Sequence, residues 1–274
     1  MDLQEKVFLI DLDGTMYRGG QPIAGAKDFI ERLIEDNIPF MFVTNNAMRK
    51  HQAAADNLNK ITGLNVEGKH FYTSVDTLRF ILAEDLTSGK LTKETGKAYV
   101  IGMDYLKDEV VDAGFELTQN VDQDPCDVVI VGLDQEVTYP QFIEASIAVQ
   151  RGAAFYLTNP DVQFPSNRGF VPGAGAIGQV ITAATRVHPI VCGKPNALII
   201  EGALAKMGYS KDQAVFLGDN LMTDISAAEN AGIDSIFIET GVHTRDHLEE
   251  FGVMPTLVVE NYEALLSTWQ STFK

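Results

Sequence analysis

The sequence predicts an α/β fold built around a mainly parallel, doubly wound sheet, and three observations carry that prediction. Short apolar runs recur along the whole chain; they are continuous and β-branched rather than alternating; and amphipathic stretches separate them. A strand with helices on both faces has no solvent side to mark with polar residues, so its run is unbroken. Strands that alternate with helices join as parallel neighbours, because a parallel pair needs a crossover between its members.

Taken in order, VFLID (7–11) opens the chain as a strand, and AKDFIERLIEDN follows with helical spacing. PFMFVT (39–44), KAYVIG (97–102) and DVVIVGLD (127–134) are the next strands. YPQFIEASIAVQRG then reads as a helix, opened by Thr138 and Gln141 at capping-box spacing. AFYLTN (154–159) and HPIVCG (188–193) are strands, and NALIIEGALAKMG is a helix. Ser210 and Gln213 repeat the capping-box spacing before AVFLGD (214–219), where the alternative to a helix start is that they close only a short turn. SIFIET (235–240), TLVVE (256–260) and the helical NYEALLSTWQ complete the pattern, with Trp269 expected to pack in the core. No repeat, low-complexity tract or long linker interrupts it.

The 274 residues, 45% of them hydrophobic, suffice for a sizeable core and for two domains. Two distant cysteines, Cys126 and Cys192, offer neither a disulfide framework nor zinc-ligand spacing. The acidic start MDLQEKVFLI lacks the basic and then apolar character of a secretory signal, and no run approaches membrane-spanning length. A cytoplasmic protein with no membrane partner is the expectation. A net charge of −17 disfavours polyanions, so no nucleic acid polymer is expected as partner. Association into a homo-oligomer stays open. His51, His70, His188, His243 and His247 show no metal-ligand spacing; the last two fit a surface helix.

Ligands of such sheets gather at the carboxyl ends of the strands. Five of these ends carry chemistry: Asp11 with Asp13, Thr44-Asn45-Asn46, Asn159 with Asp161, Gly193-Lys194-Pro195, and Gly218-Asp219-Asn220. A strand-end aspartate such as Asp11 suits nucleophilic attack on phosphorus, and Gly14 permits the turn that returns Asp13 to the same place. Asp219 and Asp224 join Asp11 as an oxygen-rich set fit for Mg²⁺. Thr44 and the amides beside it suit a phosphoryl oxygen, and Lys194 suits phosphate or the acidic cluster. Turn formation, helix capping and a solvent-facing lysine account for the same residues one at a time.

Their order is more specific than any one of them. DLDGT, then VTNN, then CGKP, then GDNLMTD resembles the four-motif signature of the haloacid-dehalogenase-like superfamily. VTNN, TNPD (158–161), VPGAGA (171–176) and CGKP are similar to its NagD or 4-nitrophenylphosphatase-like subfamily, which carries a type IIA cap. The resemblance spans essentially the whole chain. It implies a Rossmann-like core over 1–79 and 183–274, with an α/β cap domain inserted over 80–182. The chain has its own strands and helices between Thr44 and Lys194, as an insert requires.

The resemblance implies that Asp11 attacks phosphorus to give an aspartyl phosphate. Asp13 protonates the leaving oxygen and later serves as base toward water. Mg²⁺ lies on Asp11, the Asp13 carbonyl and Asp219, with Asp224 behind it. Thr44, Asn45 and Lys194 hold the phosphoryl group. Asn46, Asn159 and Asp161 are candidates for substrate or cap contacts, and Tyr17 and Arg18 for covering the site. The expected activity is Mg²⁺-dependent hydrolysis of a small phosphorylated metabolite, of nucleoside monophosphate or sugar phosphate type, with 4-nitrophenyl phosphate as a convenient substrate. A phosphomutase-type transferase and a non-catalytic phosphometabolite-binding protein are the alternatives.

Overall fold

The computed structural model describes residues 3–166 and 168–271, which form two compact units. The first comprises 1–44, 50–72 and 194–274; the second comprises 45–49 and 73–193. The 80–182 span expected for the insert lies wholly inside the second unit. That unit also takes in the start of the helix Ser74–Ser88 and the short strand Ile190–Val191.

The first unit holds a six-stranded sheet in the order Leu257–Val259, Asp234–Ile238, Ala214–Gly218, Val7–Ile10, Phe40–Thr44, Phe71–Thr73. The pairings from Leu257–Val259 through Phe40–Thr44 are parallel. The first strand shows why its run is unbroken. Phe8 and Ile10 enter one hydrophobic cluster while Val7 and Leu9 enter another, so successive side chains are buried on opposite faces.

Helix Ala26–Glu35 covers the first of these faces. Its Ala26, Phe29, Ile30 and Leu33 are fully buried at helical spacing. Phe29 meets the Phe8 ring edge-on at 5.5 Å, and Trp269 stacks on Phe8 at 5.7 Å, so Trp269 is a core residue. Helix Leu198–Met207 covers the other face through Ile199, Ile200, Ala203 and Leu204. Burial of each such large side chain contributes roughly 1.5–3 kcal/mol. The sheet is therefore doubly wound.

The second unit has its own five-stranded parallel sheet, ordered Ile190–Val191, Ala154–Leu157, Val128–Val131, Lys97–Ile101, Glu116–Leu117. Helix Tyr139–Gln150 packs on it and begins with the Thr138–Gln141 capping box. The second such pair, Ser210 and Gln213, closes only a single turn, Lys211–Gln213. Cys126 and Cys192 are free thiols. Among the described residues no helix is long and apolar enough to cross a membrane.

Candidate active site

Two neighbouring parallel strands of the first unit, Val7–Ile10 and Ala214–Gly218, end side by side and deliver Asp11 and Asp219 from their carboxyl ends. Asp224 follows within a π-helical turn, Leu221–Ile225, capped by the Asn220 side chain, which accepts from the Met222 and Thr223 amides. The amide of Asn220 donates to Asp224 Oδ2 at 3.1 Å. Asp224 thus turns back toward the strand ends.

Carboxylate oxygens of Asp11, Asp219 and Asp224 lie within 4.8 Å of one another, and all three residues are buried. Lys194, also buried, places Nζ 2.5 Å from Asp11 Oδ1 and 2.8 Å from Asp224 Oδ1, and donates to the Val43 carbonyl at 3.2 Å. Thr15 Oγ1 donates to Asp219 Oδ1 at 3.1 Å and points at Asp11 Oδ2 at 3.4 Å. Val242 donates its amide to Asp219 Oδ2 at 2.8 Å.

Three buried carboxylates face one ammonium, and that imbalance sets the electrostatics. Burial first, and then the charge of Asp224, push Asp11 well above the usual carboxylate range; Lys194 pulls the other way without reversing the shift. Burial and Asp224 raise Asp219 to about 7. Burial alone lowers a lysine, yet Asp11 and Asp224 more than offset it and hold Lys194 above its ordinary value. An all-oxygen cluster with surplus negative charge fits a hard dication such as Mg²⁺, which would remove the surplus.

Glycines make the packing around Asp219 feasible. A Cβ on Gly241 would fall 1.5 Å from Asp219 Oδ2, and one on Gly14 would fall 2.4 Å from the same atom. Gly14 also has φ of 88°, the left-handed region that glycine enters without cost. The carbonyl of Gly14 accepts from Thr240 Oγ1 at 2.8 Å, and Arg18 donates to the carbonyls of Thr240 and Gly241. The loop 240–242 therefore clasps Asp219 from the C-terminal side of the chain.

The remaining candidates divide between the units. Asp13 is exposed beside buried Asp11, in a bridge with Tyr17. Thr44 ends its strand in the first unit and is buried. Asn45, Asn46, Asn159 and Asp161 belong to the second. Asn159 Nδ2 donates to the Asn45 carbonyl at 3.0 Å, and Asn45 Nδ2 reaches Asp161 Oδ2 at 3.3 Å. Asn46 accepts from the Met48 amide at 3.1 Å.

Sequence reasoning missed Thr15, Gly241 and Val242. Thr15 was within reach, since it completes the DLDGT motif; nothing local marks the other two. Neither His243 nor His247 falls on a regular surface helix: His243 accepts from the Leu221 amide at 3.1 Å and packs on Phe251.

Comparison with known proteins agrees with this geometry. Residues 8–116 match the family described as haloacid dehalogenase-like hydrolase, and residues 191–265 match one described as HAD-hydrolase-like. The 5′-nucleotidase YutF of Bacillus subtilis is 34% identical over 93% of this chain and 95% of its own length. The acid sugar phosphatase of Staphylococcus saprophyticus is 35% identical over 95% of this chain and 96% of its own. Among solved structures, glycerol phosphate phosphatase from Mycobacterium tuberculosis in complex with magnesium superposes with TM-score 0.84. It is 30% identical and covers 95% of this chain and 76% of that one.

A doubly wound fold with this acid–lysine centre and these relatives defines a hydrolase acting on phosphoric monoesters. The chain belongs to the haloacid dehalogenase-like hydrolase family.

Proposed function

We propose that this enzyme is a Mg²⁺-dependent phosphatase that cleaves a small phosphomonoester through an aspartyl phosphate on Asp11. The observation that carries the reading is the buried cluster in which Lys194 bridges Asp11 and Asp224 while Asp219 stands beside them. Asp11, the Asp13 carbonyl and Asp219 would hold the ion, with Asp224 behind. When bound, Mg²⁺ supplies positive charge against the developing charge of the phosphoryl oxygens.

The protein's own groups supply the rest. Asp11 Oδ attacks phosphorus in line as the ester oxygen departs. Asp13, exposed and able to exchange protons with solvent, gives its proton to that oxygen. Asp13 then takes a proton from the water that attacks the acyl phosphate, which returns Asp11 as a carboxylate and releases inorganic phosphate. The adjacent aspartates thus work in different surroundings, one desolvated and ionically paired, the other wet. Thr44, the Asn45 backbone and Lys194 hold the phosphoryl group, and the second unit serves as the cap that selects the substrate.

The relatives' names span a nucleotidase, a sugar phosphatase and a glycerol phosphate phosphatase, which supports a compact phosphorylated metabolite as substrate class. The test is hydrolysis of 4-nitrophenyl phosphate with release of inorganic phosphate, with and without Mg²⁺, by wild type and Asp11→Asn. Activity that requires Mg²⁺ and vanishes in the variant is the expected result. Retained activity in Asp11→Asn removes Asp11 as nucleophile, and isomerised sugar phosphate without phosphate release marks a mutase.

A further inference from the structure

We infer that Asn159 is a positioning residue for the phosphoryl site, acting through the Asn45 carbonyl on the backbone one residue past Thr44. The inference rests on the reading above, in which Thr44, Asn45 and Lys194 hold the phosphoryl group.

The chain passes between the two units at four places, after Thr44, Arg49, Tyr72 and Gly193. Three of them meet at one residue. The Asn45 carbonyl accepts from Ser74 Oγ at 3.1 Å, just past the third passage, and from Asn159 Nδ2 at 3.0 Å. Gly193, the last residue before the fourth, lies so close that a Cβ on it would fall 2.5 Å from Asn45 Oδ1 and 2.9 Å from the Thr158 carbonyl. Ser74, Thr158, Asn159 and Asn45 are all buried.

A carbonyl oxygen accepts two hydrogen bonds, and two side chains fill that capacity here. Because the peptide is planar, pinning this oxygen pins the whole 45–46 peptide, including the Asn45 Cα, one residue beyond Thr44. Asn159 is itself fixed at both ends of its amide, since its Oδ1 accepts from the Asp161 amide at 3.2 Å. Its shorter bonds are to backbone atoms, with a longer one from Nδ2 to Thr158 Oγ1 at 3.5 Å, as expected of a brace and not of a substrate contact. The residues assigned to the phosphoryl group, Thr44 and Lys194, are the chain neighbours of Asn45, which is braced, and of Gly193, which packs closely against it. Small displacements of phosphoryl-binding groups carry large kinetic penalties.

The test uses full-length, Mg²⁺-loaded enzyme and two probes, 4-nitrophenyl phosphate turnover and competitive inhibition by inorganic phosphate. Asn159→Asp keeps the side-chain size but replaces the donor with an acceptor facing the Asn45 carbonyl. The expected result is a fall in kcat/KM of about tenfold or more, with a matching rise in the phosphate inhibition constant. In a Thr44→Val background the same substitution should cost less than about threefold, since its route of action is gone. Should Asn159→Asp fail to fold, Ser74→Ala decides, with an expected rise in that constant of about threefold.

A phosphate inhibition constant unchanged in the folded variant, with only the melting temperature lowered, overturns the inference. So does full additivity with Thr44→Val. The Asp11→Asn assay above is independent: loss of activity there with an unchanged inhibition constant here sinks the brace and leaves the phosphatase reading intact.

Discussion

Asp219→Asn isolates the electrostatic cost of the acid cluster. Asp219 rises from its ordinary 3.8 to about 7 in the folded protein without metal, mainly through burial and then through Asp224. A carboxyl whose folded pKa exceeds its unfolded one binds its proton more tightly when folded. Stability therefore falls as pH climbs between about 4 and 7, in contrast with the usual paired carboxylate. At 1.36 kcal/mol per tenfold, that rise corresponds to about 4 kcal/mol, an upper bound because Asp11, also raised, shares the cluster. Asparagine retains one acceptor for Thr15 or Val242 and forfeits the other, at a cost of about 1 kcal/mol. The net gain at pH 7.5 is thus up to about 3 kcal/mol for the metal-free variant over metal-free wild type. Urea unfolding of EDTA-treated proteins from pH 4.5 to 8 reads it directly. Mg²⁺ should stabilise wild type most at pH 7.5 and little near pH 5, and should do far less for the variant. Superimposable pH profiles of the two metal-free proteins would refute the reasoning.

Three further outcomes follow from the same geometry. Lys194→Met strands Asp11 and Asp224 in the interior and should cost about 3–5 kcal/mol at pH 7.5 in urea unfolding, part of it recovered near pH 5. Asp13→Asn should lower kcat by about 10²–10⁴ on an alkyl phosphate and by less on 4-nitrophenyl phosphate, whose leaving group needs little proton assistance; equal losses on both would remove Asp13 as general acid. Gly241→Ala drives a methyl into the Asp219 carboxylate, so the Mg²⁺ concentration for half-maximal activity should rise at least tenfold, measured by Mg²⁺ titration of turnover.

The legible part of this protein was the part written locally. Unbroken apolar runs such as VFLI and AVFLG report double burial, and the residue after each is where a parallel sheet offers its chemistry. The places of Asp11 and Asp219 directly after their strands, and of Thr44 at the end of its own, were readable for that reason, whereas Lys194 comes three residues past the short strand Ile190–Val191. Asp13 depended on a glycine that lets the chain reverse. The clasp on Asp219 was not readable, because Val242 and Gly241 act through a bare amide and a missing side chain. Neither has a signature without knowing what approaches it. Strands of two residues, such as Glu116–Leu117 and the hairpin Tyr17–Arg18 with Gln21–Pro22, are too short to show any period. Asn159 and Asp161 could be picked out but not understood, since their partner, Asn45, lies more than a hundred residues away.

The second unit is not one continuous insertion: the five residues 45–49 belong to it although the first unit flanks them on both sides. Exchange of the second unit between relatives at 73 and 193 alone would leave those five residues behind, separated from their own unit. A working chimaera has to carry both pieces, so natural shuffling of this module by a single crossover pair is expected to be rare.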